Sequence, residues 1–501
     1  MLVVLSDLHL LAEQHEIIKR DDGPPIGRRR NLPPAAFAQF IRRLAAEAVN
    51  NGTGRKKRDA DGNVLAGTRR LDLVLAGDIF EVTRTILWCD YDCSPMPYED
   101  PPTPGSELER RVLQVLNQIA EDDRAKKTLA IFRLLAAGKY VIQIGREVEF
   151  PADEVVVHYL TGNHDRVCNA TPAIRTWVRG MLGMGNSGDP FPNQILFPEP
   201  AALVRHGHEY DPRAFGIDYT KADVLPEPIP PKAYEENGLG DFVTIEIASR
   251  LPWELRRMHG VEKIKQIPLL RHVYERLLEF DDVRPQSHLL DFLLSDPDIR
   301  GQEKQAWALI EPLLRTVLNR LARDPWMRRW LVRRRMFLPL MLLRLRLWRM
   351  TRRIPSTLVR RLLSAGKEPP PPVAFAAKEP ALRSGRARYV IAGHTHNPAV
   401  ELAVADYDGG RYYVDTGTWR NRIPVAPDCK GFGRLKALTY VIVYGPDEDP
   451  GETAGGPSLG SFDYWSGFTQ RFPAEQWDQR PLVPLTATPQ PERAPEPAVA
   501  G

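Results

Sequence analysis

The sequence predicts an α/β fold with a polar site along one sheet edge and a large helical insertion. Three observations carry this. Short apolar runs rich in valine, leucine and isoleucine alternate with segments of helical periodicity. Five of those runs end in small clusters of aspartate, asparagine and histidine. Residues 212–386 then change character, to leucine, arginine and helical spacing with few strand signals. The 501 residues suffice for about three domains. A composition of 43% hydrophobic and 26% charged residues excludes a wholly disordered, collagen-like or polytopic membrane chain.

Taken in order, Leu2 to Ser6 reads as a buried strand and Pro33 to Asn50 as a helix opened by proline. Asn51 to Arg70 is polar and basic, a loop, and Leu71 to Ala76 is the second strand. Cys89 to Gly105 is irregular and proline-rich, and one helix is expected from Glu107 to about Ala137. Val155 to Thr161 and Ala202 to Arg205 are the third and fourth strands. After the insertion, Arg388 to Ala392, Ala399 to Ala405, Arg411 to Asp415 and Leu438 to Tyr444 return to strand composition. Asp408-Gly409-Gly410 supplies a hairpin-type turn. The expected division is a core in two parts, 1–211 and 387–446, around the insertion 212–386. A C-terminal extension, 447–479, and a proline-rich disordered tail, 480–501, follow.

Four cysteines, none in a CxxC pair, are too few for a disulfide framework and form no zinc-finger site. The five-residue apolar run at the start is too short for a signal peptide, so a cytoplasmic protein is expected. The charge is uneven. Between Arg323 and Arg361 stand thirteen arginines and one acid, a local +12, leaving −8 for the rest of a chain whose net charge is +4. An anionic partner for that segment is the expectation.

The clusters that end the strands are Asp7-Leu8-His9, Gly77-Asp78, Gly162-Asn163-His164-Asp165, His206-Gly207-His208 and Gly393-His394-Thr395-His396. Six of the eleven histidines fall in them. Each cluster alone has a bland reading as a turn, but five in sequence, each after an apolar run, point to a shared site. Carboxylate, imidazole and amide oxygen suit manganese, iron, zinc or cobalt. Two cations held roughly 3.5–4 Å apart need a shared anion, so one aspartate is expected to bridge a dinuclear centre.

In this order and spacing the clusters resemble the signature of the calcineurin-like metallophosphoesterase superfamily: D-x-H, G-D, G-N-H-[DE], H and G-H-x-H. The resemblance covers about 1–211 and 387–446. It implies a double β-sheet sandwich flanked by helices and a hydrolase that cleaves a phosphomonoester, phosphodiester or pyrophosphate through hydroxide held by two metal ions. By motif, Asp7, His9, Asp78 and His396 would hold the first ion. Asp78 would bridge, and Asn163, His206 and His394 would complete the second. His164 would be catalytic, protonating the leaving oxygen or contacting the phosphate. Glu81 would hold the His164 ring. His208 is assigned a supporting or exposed position, Asp165 a turn-capping one, and Asp415 to Trp419 the pocket floor. Two divalent ions, manganese foremost, are the implied cofactors. The stretch around Gly77-Asp78-Ile79-Phe80-Glu81, with SDLHL, is similar to the UDP-2,3-diacylglucosamine hydrolase branch, which cleaves a lipid-linked pyrophosphate. This chain departs from that branch in length, about twofold, and in carrying His164 where the branch carries arginine.

The basic segment admits three readings. Leu340, Leu343, Leu347, Met350 and Ile354 form one helical stripe, which a cap subdomain would bury. With Trp326, Trp330, Phe337 and Trp348 as anchors, the same segment suits the surface of an anionic membrane, making the protein peripheral there. Nucleic-acid binding through phosphates is the third. The alternatives to a phosphoesterase acting on a phosphorylated small substrate are a nuclease with the same centre and an inactive scaffold of the same fold.

Overall fold

The computed structural model describes residues 1–52, 68–90, 95–143, 146–235, 238–284, 288–294, 301–321, 323–333, 370–405, 410–427, 431–446, 448–449 and 460–469. The chain is mixed α/β, with two main sheets. The larger runs, in spatial order, through Glu154–Leu160, Arg70–Ala76, Leu2–Leu5, Leu435–Val443, Asn421–Pro424 and Val283–Arg284, with Phe462–Thr469 also paired to Leu435–Val443. Its first three strands are parallel, and the strand Leu435–Val443 returns antiparallel against Leu2–Leu5. The smaller runs through Ala399–Val404, Arg411–Asp415, Tyr389–Ala392, Ala202–Arg205 and Gln194–Phe197. Its three central strands are parallel.

Period-two alternation explains how the sheets pack. In the first strand Leu2 and Val4 face one way, and Val3 and Leu5 the other. Leu2 and Val4 join Val74, Ala76, Leu160, Val441 and Val443 in one buried cluster with Ala202, Val204, Ile391 and Val414 of the smaller sheet. The two sheets therefore share an apolar layer. Val3, Leu5, Leu71, Leu73 and Leu75 pack on the opposite side. They meet the helices Pro34–Gly52, Glu107–Glu121 and Asp123–Ala136 through Phe37, Ile41, Val112, Leu116, Leu129 and Phe132. Beneath the smaller sheet, Leu203, Val390 and Tyr413 pack with Phe375 and Leu382.

The strands anticipated from the sequence form within a few residues of their expected bounds. The single helix expected over 107–137 is two. Asp122 adopts an extended backbone and its carboxylate accepts the N–H groups of Arg124 and Ala125, capping a new helix. Asn421–Pro424, Gln194–Phe197 and the hairpin of Lys139–Gln143 with Arg146–Glu149 were not anticipated.

The insertion is helical, and its leucines build a second core from Leu251, Leu255, Val273, Leu277, Phe292 and Ile310. It is also stitched to the main sheet: Val283–Arg284 pairs in parallel with Ile423 and Pro424. In the arginine-rich stretch, Met327 is buried, Trp326 stacks on Phe242 and Trp330 packs on the main core. Those two aromatic residues thus face the protein. Phe337, Trp348 and the stripe from Leu340 to Ile354 lie outside the described residues, as does the tail. Among the described residues no helix is long and apolar enough to cross a membrane.

We expect Ile391→Ala, between the two sheets, to cost about 2–5 kcal/mol, read as a lowered urea midpoint. Leu402→Ala, at a residue 54% exposed on an outer strand, should stay within about 0.5 kcal/mol of the parent. Equal effects would disprove the shared apolar layer.

Candidate metal centre

All five polar clusters follow the carboxyl ends of parallel strands, three in the larger sheet and two in the smaller, and the two edges meet. Parallel strands place such ends at a common rim, where open α/β sheets hold their ligands. The ladder continues past the strands: Asp7 N–H donates to Gly77 O at 3.0 Å and His9 N–H to Asp78 O at 2.8 Å. Among the described residues six non-glycine residues have positive φ, and five of them are Asp7, His9, Asp78, His394 and His396. That conformation costs energy in an L-residue and persists where surroundings enforce it, typically at functional sites. Here it turns each side chain off its strand axis into one cleft.

Among the described residues three sets of side chains converge closely enough to hold a metal ion: Asp7, His9 and His396; Asp78, His206 and His394; and His9, Glu81 and His164. In the first, His9 Nε2 and His396 Nε2 are 3.0 Å apart, and Asp7 Oδ1 lies 3.2 Å from His396 Nε2. In the second, His206 Nε2 lies 3.3 Å from both Asp78 Oδ2 and Asn163 Oδ1. Asp78 Oδ2 is also 3.7 Å from His9 Nε2. One carboxylate oxygen therefore faces both sets. The third set is a hydrogen-bonded relay. Glu81 takes His9 Nδ1 on Oε2 and His164 Nδ1 on Oε1, both at 2.8 Å, so it fixes two rings.

The donors fit a cation. Asp7 Oδ1 and His394 Nδ1 are buried without a hydrogen-bond partner among the described residues, an arrangement that burial penalises unless something occupies the lone pairs. His9 and His206 each have an acceptor behind the ring, Glu81 and the Ala76 carbonyl at 2.8 Å, so that Nε2 is the atom each turns to the other donors of its set. The space is kept by glycine. A Cβ on Gly162 would lie 2.2 Å from Asp78 Oδ1, and one on Gly393 would lie 2.3 Å from Asp7 Oδ2.

Electrostatics hold the carboxylates ionised. Burial opposes charge on Asp7, Asp78 and Glu81, yet hydrogen bonds and the fields of His9, His164, His206 and His396 keep all three below the ordinary carboxylate range. The same pairing overcomes burial to raise His9 to about 9 and His206 to about 10. A cation of higher charge would take over the protons' role in neutralising these acids.

Other sequence assignments resolve as follows. Asp165 caps the turn, accepting Gly162 N–H at 2.6 Å and Ile79 N–H at 2.8 Å, and so ties two clusters together. His208 is buried, correcting the exposed alternative; its ring packs near His206, Phe215 and Tyr234. Burial, with His206 and His394 nearby, pushes it down to about 3, so it is neutral. In the expected pocket floor, Thr418 Oγ1 and Trp419 N–H both donate to Asp7 O, at 2.9 and 3.0 Å. Sequence reasoning missed Asp211, whose Oδ2 lies 3.3 Å behind His394 Nε2, and Ser6, which donates to Asp7 Oδ2. Each adjoins a cluster but belongs to no recurring pattern.

No protein-family model matches this chain, and no curated protein matches it.

Asp78→Asn removes the charge facing both ligand sets, and Gly162→Ala drives a methyl group into Asp78. Both should lower the manganese bound per chain, measured by elemental analysis after dialysis, with the far-ultraviolet spectrum unchanged. Parental metal content in both variants would refute this centre.

Proposed function

We propose that the protein is a metal-dependent phosphoesterase of the calcineurin-like metallophosphoesterase type, with two sheets face to face and a dinuclear centre at their joined edge. The observation that carries this reading is the position of Asp78 Oδ2 between the two ligand sets, with His164 alongside. Asp7, His9, Asp78 and His396 would hold one divalent ion, and Asp78, Asn163, His206 and His394 the other. Manganese is the first choice, and iron, zinc or cobalt suit the same donors. Such a pair, when bound, polarises phosphoryl oxygens and makes water acidic enough to attack phosphorus.

The rest falls to the chain's own residues. His164 is anchored by its main-chain N–H, which donates to Asp78 Oδ1 at 2.8 Å. Its Nδ1 is engaged by Glu81 and by Thr83 Oγ1 at 3.0 Å, which leaves Nε2 to face outward. The side chain is 20% exposed, whereas Glu81 is wholly buried, so the ring is the reachable end of the pair. Burial works against its charge, but Glu81 and Asp78 raise it to about 10. A protonated imidazole at this point supplies the proton that a departing alkoxide requires. Glu81 acts through others: one carboxylate orients the ligand His9 and the donor His164, coupling metal geometry to proton delivery.

The test is a panel of phosphomonoesters, phosphodiesters, nucleotides, lipid pyrophosphates and single-stranded DNA, assayed with added manganese. Metal-dependent hydrolysis of an ester supports the reading, and preference for DNA selects a nuclease. Metal binding with no turnover would leave a scaffold.

His164→Ala should keep the parental metal content and lower kcat roughly 10²- to 10⁴-fold on an alkyl phosphate, the usual contribution of general acid catalysis. The loss should shrink on a nitrophenyl ester, whose leaving group departs without a proton. Equal losses on both substrates would overturn the proton-donor role.

A further inference from the structure

Three of the four histidines that face the ligand sets have an acceptor behind the ring: Glu81 for His9, the Ala76 carbonyl for His206 and Asp211 for His394. His396 is the exception. Its Nε2 points at Asp7, and behind it Nδ1 meets Arg284 Nη2 at 3.1 Å. A guanidinium only donates. When the Nε2 lone pair is given to a cation, the ring's one proton sits on Nδ1, and that atom donates too. Two donors then face each other, and an acceptor placed to serve both would satisfy them.

Among the described residues no acceptor bonds both groups. Arg284 makes no ion pair with a carboxylate among the described residues, and its Nη1 is bonded only to the Asp281 and Val283 carbonyls. The neighbouring acids are engaged elsewhere: Asp281 by Arg30, Arg84 and Arg420, and Asp282 by Arg30 and Arg420. A second guanidinium lies on the same side. Val283–Arg284 pairs in parallel with Ile423 and Pro424, so Arg422 and Pro424 share the face that Arg284 occupies. Arg422 Nη2 donates to Asn397 Oδ1 at 2.9 Å, while its buried Nε has no partner among the described residues. The result is a row of donors, His396 Nδ1, Arg284 and Arg422, along one side of the candidate centre. Planar guanidinium forks are well matched to phosphoryl oxygens.

We propose that Arg284, Arg422 and the His396 ring N–H form an anion subsite that binds phosphoryl oxygens, and that the helical insertion delivers Arg284 to it. This rests on the phosphoesterase reading for its ligand and on the local geometry for its place. Arg284, which the insertion brings to the centre, sits in a two-residue strand.

The test is calorimetric binding of inorganic phosphate to the manganese-loaded full-length chain. Arg284→Gln should weaken phosphate roughly 10- to 100-fold, the weight of one charge-assisted hydrogen bond, and Arg422→Gln should weaken it less. Manganese content should remain parental, and KM for a soluble ester should rise more than kcat falls. Arg284→Lys, which keeps the charge without the fork, should recover part of the affinity. If Arg284→Gln loses metal or fold, Arg422→Gln decides. Unchanged phosphate affinity in the glutamine variants, with esters still hydrolysed, overturns the subsite alone. Phosphate binding that weakens as expected in a chain that turns over no ester upholds the subsite and defeats the phosphoesterase reading.

Discussion

The parallel register between the first two strands is the constraint on which the rest of the molecule depends. Pairing Leu5 with Leu75 brings Asp7 and Asp78 side by side at zero exposure or nearly so. Two neighbouring carboxylates repel, and burial takes both out of bulk solvent, which would otherwise screen them. The architecture answers with four imidazoles drawn from three places in the chain. His9 continues the first strand, His206 comes from the adjoining sheet, and His394 and His396 come from beyond the insertion. The left-handed backbone at five of these positions is the conformational cost of aiming all of them at one point.

Glu81 extends the same arrangement outward. It is itself buried beside Arg420, 3.8 Å away, and Arg420 is gripped by Asp281 and Asp282 of the insertion. Arg30 and Arg84 complete that cluster. Ion pairs of this kind contribute little when intact but leave an uncompensated charge when one partner goes. The insertion is therefore bound electrostatically to the same residues that orient His9 and His164. It belongs to the site's support.

Much of the centre was legible because its residues recur at the ends of apolar runs, where a strand's geometry alone places them on a rim. Asp7, His9, Asp78, Asn163, His206, His394 and His396 needed no knowledge of long-range contacts. Asp211 and Arg284 did. Their roles appear only when Asp211 meets a histidine 183 residues away and when a two-residue strand finds its partner at Ile423. Two residues have no periodicity to read. The helix expected over 107–137 failed differently: its apolar spacing runs through Asp122, and only the cap interaction divides it. Trp326 and Trp330 looked like membrane anchors because an aromatic residue amid arginines carries the same signature whether it meets lipid or a neighbouring Phe242.

The order of strands in the larger sheet has a consequence for synthesis of the chain. Leu2–Leu5 pairs on one flank with Arg70–Ala76, near it in the chain, and on the other with Val441–Val443, which is made far later. Until then a short run of four apolar residues keeps one side of its backbone unsatisfied. Translation at about 5–20 residues per second leaves that edge open for tens of seconds. Meanwhile the described helices of the insertion can pack on one another through Leu251, Leu255, Val273, Leu277 and Ile310. An unpaired strand edge of this kind is what a neighbouring nascent chain could pair with, and Val441–Val443 is the segment that closes it.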